Sequence, residues 1–151
     1  VLHAIELAQE DLTLWCGQLS EQELSATPSA LPSIAFHLRH IARSLDRLLT
    51  YAEGHQLNER QLQALSSETE PQCSRAKTFS ELSAALTDSS ARILQLGEKP
   101  DTLNQPCTVG REQLPATLAG LLVHVADHTQ RHVGQAITTA KIVMAQRNQT
   151  L

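Results

Sequence analysis

The sequence predicts an all-α fold, a four-helix bundle with long crossover connections. Four long stretches repeat apolar residues at helical spacing, and such faces can be buried only against one another. Aromatic residues make up 3% and apolar residues 41%, mostly Leu, Ala, Ile and Val, with 6 Gly and 6 Pro in 151 residues. That balance favours helix over sheet. The connections run to about a dozen residues or more, unlike the short loops of an up-down-up-down bundle. The length suits one domain with a sizeable core, so residues 1–151 are read as a single domain.

The first helix is expected from Val1 to Leu19, with Ile5, Ala8, Leu12 and Trp15 facing inward. Ser20 to Pro32, with Pro28, reads as a connection. Ser33 is placed to cap a second long helix from Ile34 to about Glu53, stopped by Gly54, with Ile34, Leu38, Ile41, Leu45 and Leu48 inside. A short helix over Glu59 to Leu65 follows the cap Asn58. The third long helix is expected to open with a capping box, Thr78 with Glu81, and to close near Gly97 and Pro100. Its packing face is Leu82, Ala85, Leu86, Ile93 and Leu96. Asp101 to Leu114 reads as a loop with an extended piece at Thr108-Val109, and Pro115 precedes the fourth helix, Leu118 to Met144.

A formal charge of -4 and a pI near 5.9 argue against nucleic acid or an anionic membrane as partner. Arg39, Arg43 and Arg47 make a stripe at four-residue spacing, read as a solvated face. Cys16, Cys73 and Cys107 are odd in number and widely spaced, which suits a reducing cytoplasm and gives no disulfide framework. Cys16 falls on an apolar stripe and is assigned to the core. The opening Val1-Leu-His-Ala-Ile-Glu lacks the regions of a signal peptide, its missing Met suggests trimming, and no apolar run approaches a membrane span.

Chemistry concentrates on the fourth helix, in His124-Val-Ala-Asp-His128-Thr-Gln-Arg-His132-Val-Gly-Gln135. At roughly 100° per residue, histidines four apart stack one turn above another, about 40° apart round the axis. His128 and His132 fall at the edge of the apolar stripe, and His124 lies further towards solvent. A single histidine on an apolar face is more often a hydrogen-bonded core residue than a ligand. Two on one flank can converge on a single ion, but a third ligand must come from elsewhere. The second helix offers His37 and His40. By angle His37 lies nearer the inner stripe and His40 on the flank where a neighbouring helix could meet it, and geometry does not choose His40.

Ser33-Ile-Ala-Phe-His37-Leu-Arg-His40-Ile-Ala, followed downstream by Leu121-Leu-Val-His-Val-Ala-Asp-His128-Thr-Gln-Arg-His132-Val-Gly-Gln135, resembles the DinB-like superfamily. That group includes damage-inducible proteins and bacillithiol- and mycothiol-dependent transferases. The resemblance implies a divalent metal on His40, His128 and His132; three imidazoles suit zinc, nickel or iron, and His37 and His124 are read as structural or supporting, with either a spare ligand. It implies a homodimer acting on a small-molecule substrate, with a low-molecular-weight thiol as cosubstrate, and the cysteine usage places it in the cytoplasm. Where the family often has His-Arg-Gly-Gln, this chain has His132-Val133-Gly134-Gln135, and Gly134 is read as permitting close helix packing.

Two function classes follow. One is a metal-dependent thiol S-transferase or related hydrolase, with no catalytic residues beyond the ligands. The other is a non-enzymatic metal-binding, damage-inducible protein. A ferritin-type di-metal bundle is set aside because no Glu-x-x-His occurs, and a serine hydrolase because no Gly-x-Ser-x-Gly occurs.

Overall fold

The computed structural model describes residues 1–68, 74–98, 100–110 and 112–149. In chain order these form α1 (Leu2–Cys16), α2 (Glu21–Ser25), α3 (Ile34–Ala52), α4 (Glu59–Ser66), α5 (Arg75–Gly97), a hairpin of β1 (Pro106–Val109) and β2 (Leu114–Thr117), and α6 (Leu118–Gln149). The four long helices are α1, α3, α5 and α6. Both α1 and α3 pack against α5 and α6, which sets α1 across the diagonal from α3. The apolar stripes meet in one core that includes Ile5, Leu12, Leu38, Ile41, Leu121 and Val125, each at most 1% exposed. Each such side chain contributes about 2 kcal/mol of burial.

Side-chain pairs fix the helix directions. His37 meets His132 and His40 meets His128, so α3 and α6 are antiparallel. Arg43 meets Glu81 and Glu53 meets Arg92, so α3 and α5 are parallel. Parallel neighbours oblige the chain to travel back along the bundle between them. That return is α4, which runs antiparallel to α3: Gln61 bonds Thr50 and Asp46, while Arg43 bonds the Ala64 carbonyl. The long crossover therefore lies alongside α3.

Several boundaries differ from the sequence expectation. The first helix stops at Cys16, and Leu19 is buried beyond its end. The stretch read as a connection holds α2, where Ser20 and Glu23 cap each other; the Ser-x-x-Glu spacing was there to be read. The third long helix starts at Arg75 behind Ser74, three residues before Thr78. Thr78 is buried inside it, and Glu81 pairs with Arg43 instead of capping. The expected loop before α6 is a hairpin that pairs Thr108 with Pro115, a position where the second strand has no further neighbour needing an N–H. Gly54 ends α3 as expected: its φ of +80° turns the chain so that the His55 N–H reaches the Thr50 carbonyl, while its own N–H bonds the Tyr51 carbonyl.

Cys16 is a buried free thiol pushed up to about 12 by desolvation, and Cys107 is free on β1; Cys73 lies outside the described residues. Among the described residues no helix is long and apolar enough to cross a membrane.

Candidate metal centre

His128 and His132 sit on the flank of α6 that antiparallel α3 covers, and His40 comes to them from α3. His40 Nε2 lies 3.4 Å from His128 Nε2. The ring centroids of His40 and His132 are 4.2 Å apart, and those of His128 and His132 are 4.7 Å apart. One nitrogen from each of the three can be chosen so that all lie within 4.8 Å of one another. No other trio of His, Cys, Asp or Glu among the described residues meets so closely.

The distances suit a cation. Two imidazole nitrogens bound to one tetrahedral zinc at about 2.05 Å stand about 3.3 Å apart, close to the His40–His128 separation. A His132 nitrogen lies within 4.8 Å of the ligand atoms of the other two. The donor chemistry agrees. His128 is pushed down to about 4, by desolvation first and then by His132 and His40; His132 is lowered for the same leading reason. Neutral imidazole is the ligand form. His128 Nδ1 is buried without a hydrogen-bond partner, while its Nε2 faces His40 Nε2.

Two neighbours hold the rings in place. Glu68 Oε2 accepts from His40 Nδ1 at 2.9 Å, which fixes the tautomer and leaves Nε2 as the donor atom. Burial alone would raise the Glu68 carboxyl, yet hydrogen bonds from His40 and Arg47 outweigh it and hold it below its usual range. His37 Nδ1 lies 3.2 Å from His132 Nδ1, leaving Nε2 of His132 to serve as donor. His37 is pushed down to about 4, by desolvation first and then by His132 and His40, so a neutral ring braces His132. His124 is exposed and stands 5.7 Å from His128 between centroids, outside the trio.

Sequence reasoning missed Glu68, because no periodicity says which way α4 runs. It also misread the arginine stripe. Arg39 is 4% exposed, Arg43 pairs with Glu81 at 2.7 Å and Arg47 pairs with Glu68 at 2.5 Å, so this face is covered by α4 and α5. The position where the family often has Arg is Val133, which is buried in the core; the basic side chain beside His132 is Arg131.

Cavities lie at both ends of the trio along the α3–α6 seam. A smaller one of 220 Å³ touches His124, His128, Arg47 and the hairpin residue Val109. A larger cleft of 610 Å³ touches His132 and His37.

The sequence of residues 4–136 matches a family model described as the DinB superfamily. No curated protein and no solved structure matches the chain.

Proposed function

The chain belongs to the DinB superfamily, and on that footing we propose that it is a divalent-metal-dependent transferase that adds a low-molecular-weight thiol to an electrophilic small molecule. The observation that supports this reading is the convergence of His40, His128 and His132, three imidazoles lowered or braced by their surroundings, between two cavities. These three residues would hold the ion. A bound zinc, nickel or iron would offer an open coordination position at which a thiol, or water in the hydrolytic variant, loses its proton near neutral pH.

The chain's own groups hold and shield. Glu68 keeps the His40 proton on Nδ1, and His37 takes the Nδ1 side of His132, so both rings stay aimed without rotating. Neither cysteine among the described residues is poised as a nucleophile: burial keeps Cys16 protonated, and Cys107 is raised by burial as well. The proposal includes a homodimer in the cytoplasm, to be checked by light scattering across a range of concentrations.

His132→Ala tests the reading. It keeps helix propensity high, so the fold should survive while zinc affinity falls at least about 100-fold. Conjugation of 1-chloro-2,4-dinitrobenzene with bacillithiol, mycothiol or glutathione should vanish on chelation and return with metal in the wild type only. Undiminished turnover by metal-free protein would overturn metal catalysis. Full metal occupancy without turnover would overturn the transferase and leave a metal-binding protein.

A further inference from the structure

The 610 Å³ cleft on the His132 side has one apolar wall, Leu31, Pro32 and Phe36, facing Arg131, Gln135 and Thr138 of α6. Between these lies Gly134, inside a 32-residue helix. Its backbone is helical and needs no glycine. A Cβ built there meets nothing within 4 Å, so the close packing expected from the sequence is absent. Glycine within a helix is less stable than alanine, and neither conformation nor packing accounts for it here. What a larger side chain would do at 134 is intrude on the cleft beside His132.

The opposite lip carries its own unfavourable backbone. Ser29 and Ala30 take φ of +52° and +61°, values that L residues rarely adopt, immediately before Leu31 and Pro32. Phe36 is held by stacking on His40, with centroids 5.6 Å apart and planes 17° from parallel. The apolar wall thus runs up to the trio. Arg131 pairs with Asp127 one turn back, but both side chains are more than half exposed, so water weakens the pair and the guanidinium can turn to another anion.

We infer that this cleft binds a small organic anion with an apolar body, the electrophilic acceptor of the reaction proposed above. The body lies against Leu31, Pro32 and Phe36, and the anionic substituent meets Arg131. The volume lies in the range of small-molecule pockets. The role of acceptor rests on the proposed function; the existence of the binding site does not.

A fluorescence titration with 8-anilinonaphthalene-1-sulfonate tests it, using the full chain with and without zinc. Wild type should bind one molecule saturably. Gly134→Leu should bind it at least tenfold more weakly, while Gly134→Ala should melt at or above the wild-type temperature. Arg131→Ala should weaken the sulfonate several-fold and leave the neutral N-phenyl-1-naphthylamine unchanged. Zinc affinity should be the same in wild type and both Gly134 variants, and no lower in Arg131→Ala, which removes a positive charge acting on His132. Wild-type sulfonate affinity in a folded Gly134→Leu, or no saturable binding by wild type at millimolar probe, overturns the cleft and leaves the metal reading standing. Loss of zinc binding by wild type, with the probe behaving as stated, overturns the metal reading and leaves the cleft.

Discussion

Helix α3 makes two polar seams, and they handle buried polarity in opposite ways. Towards α4 and α5, guanidiniums meet carboxylates: Arg92 takes Glu53 in a two-pronged contact at 2.6 and 2.8 Å and Asp46 at 3.0 Å, and Arg43 takes Glu81. Towards α6, imidazoles meet imidazoles: His37 with His132, and His40 with His128. The first seam sets guanidiniums against carboxylates and is compensated. The second holds like groups that repel once protonated, so it is stable only while its rings are neutral. A seam that merely held helices together would look like the first. The second is kept at a cost that a bound cation would offset, as the proposed function requires.

Acid should break the comparison most strongly. His37 and His128 titrate near 6.5 when unfolded and are pushed down to about 4 in the fold, chiefly by desolvation and then by neighbouring imidazoles. A depressed imidazole means the unfolded chain binds protons that the folded chain refuses. The stability is therefore fully present above about pH 6.5 and is lost as pH falls towards 4. Two groups set an upper slope of about 2.7 kcal/mol per pH unit, and partial exposure holds the total loss to about 3 kcal/mol. Urea unfolding of metal-free protein at a series of pH values should show it. A flat profile between pH 6.5 and 4 would mean that the imidazole seam is not strained.

The arginine seam should respond to truncation instead. Arg92→Ala leaves Glu53 and Asp46 without their shared cation, and Thr50 loses a donor. Removing one partner of a fully buried pair costs about 3–5 kcal/mol, but Asp46 is 45% exposed here, so about 2 kcal/mol is expected. Thermal or urea melts at pH 7 measure this, and zinc affinity should not change. A shift in zinc affinity comparable to that of a ligand mutation would show that the two seams are coupled.

The seams also differ in how far the sequence discloses them. The stack of His128 on His132 is local to one helix, and helical geometry alone predicts it. His40 was reached through a motif resemblance, because angle on α3 does not decide which helix lies opposite. The arginine seam is wholly non-local. Three arginines on one face look solvated until Glu68 arrives from just past α4 and Glu81 from α5, and the second arrival depends on α5 running parallel to α3. Thr78 and Glu81 resembled a cap for the same reason: the spacing is right, but Glu81 is claimed by Arg43 and Ser74 starts the helix earlier. The long helices and their inner stripes were legible because burial repeats with the helical period. Gly134 was misread because a glycine in a sequence does not show whether its missing side chain faces another helix or open space.

Glu68 joins the two seams, and replacing it is the smallest and sharpest test of their separation. Its Oε2 accepts from His40 Nδ1 at 2.9 Å and its Oε1 accepts from Arg47. Glu68→Gln keeps the size, and the amide oxygen can accept only one of the two bonds well. If it stays on His40, the tautomer survives while Arg47 loses its anion, and stability falls by about 1 kcal/mol. The carboxylate also makes the His40 ring a better donor, so its loss should weaken zinc binding by about tenfold, the lower end of what such supporting groups contribute. Glu68→Ala should cost more in both measurements, since no acceptor remains for His40 Nδ1. Zinc titration and urea unfolding on the same preparations separate the effects. Equal zinc affinity in wild type, Glu68→Gln and Glu68→Ala would show that Glu68 belongs to the compensated seam alone, and that His40 is aimed by its stacking on Phe36 and by helix packing.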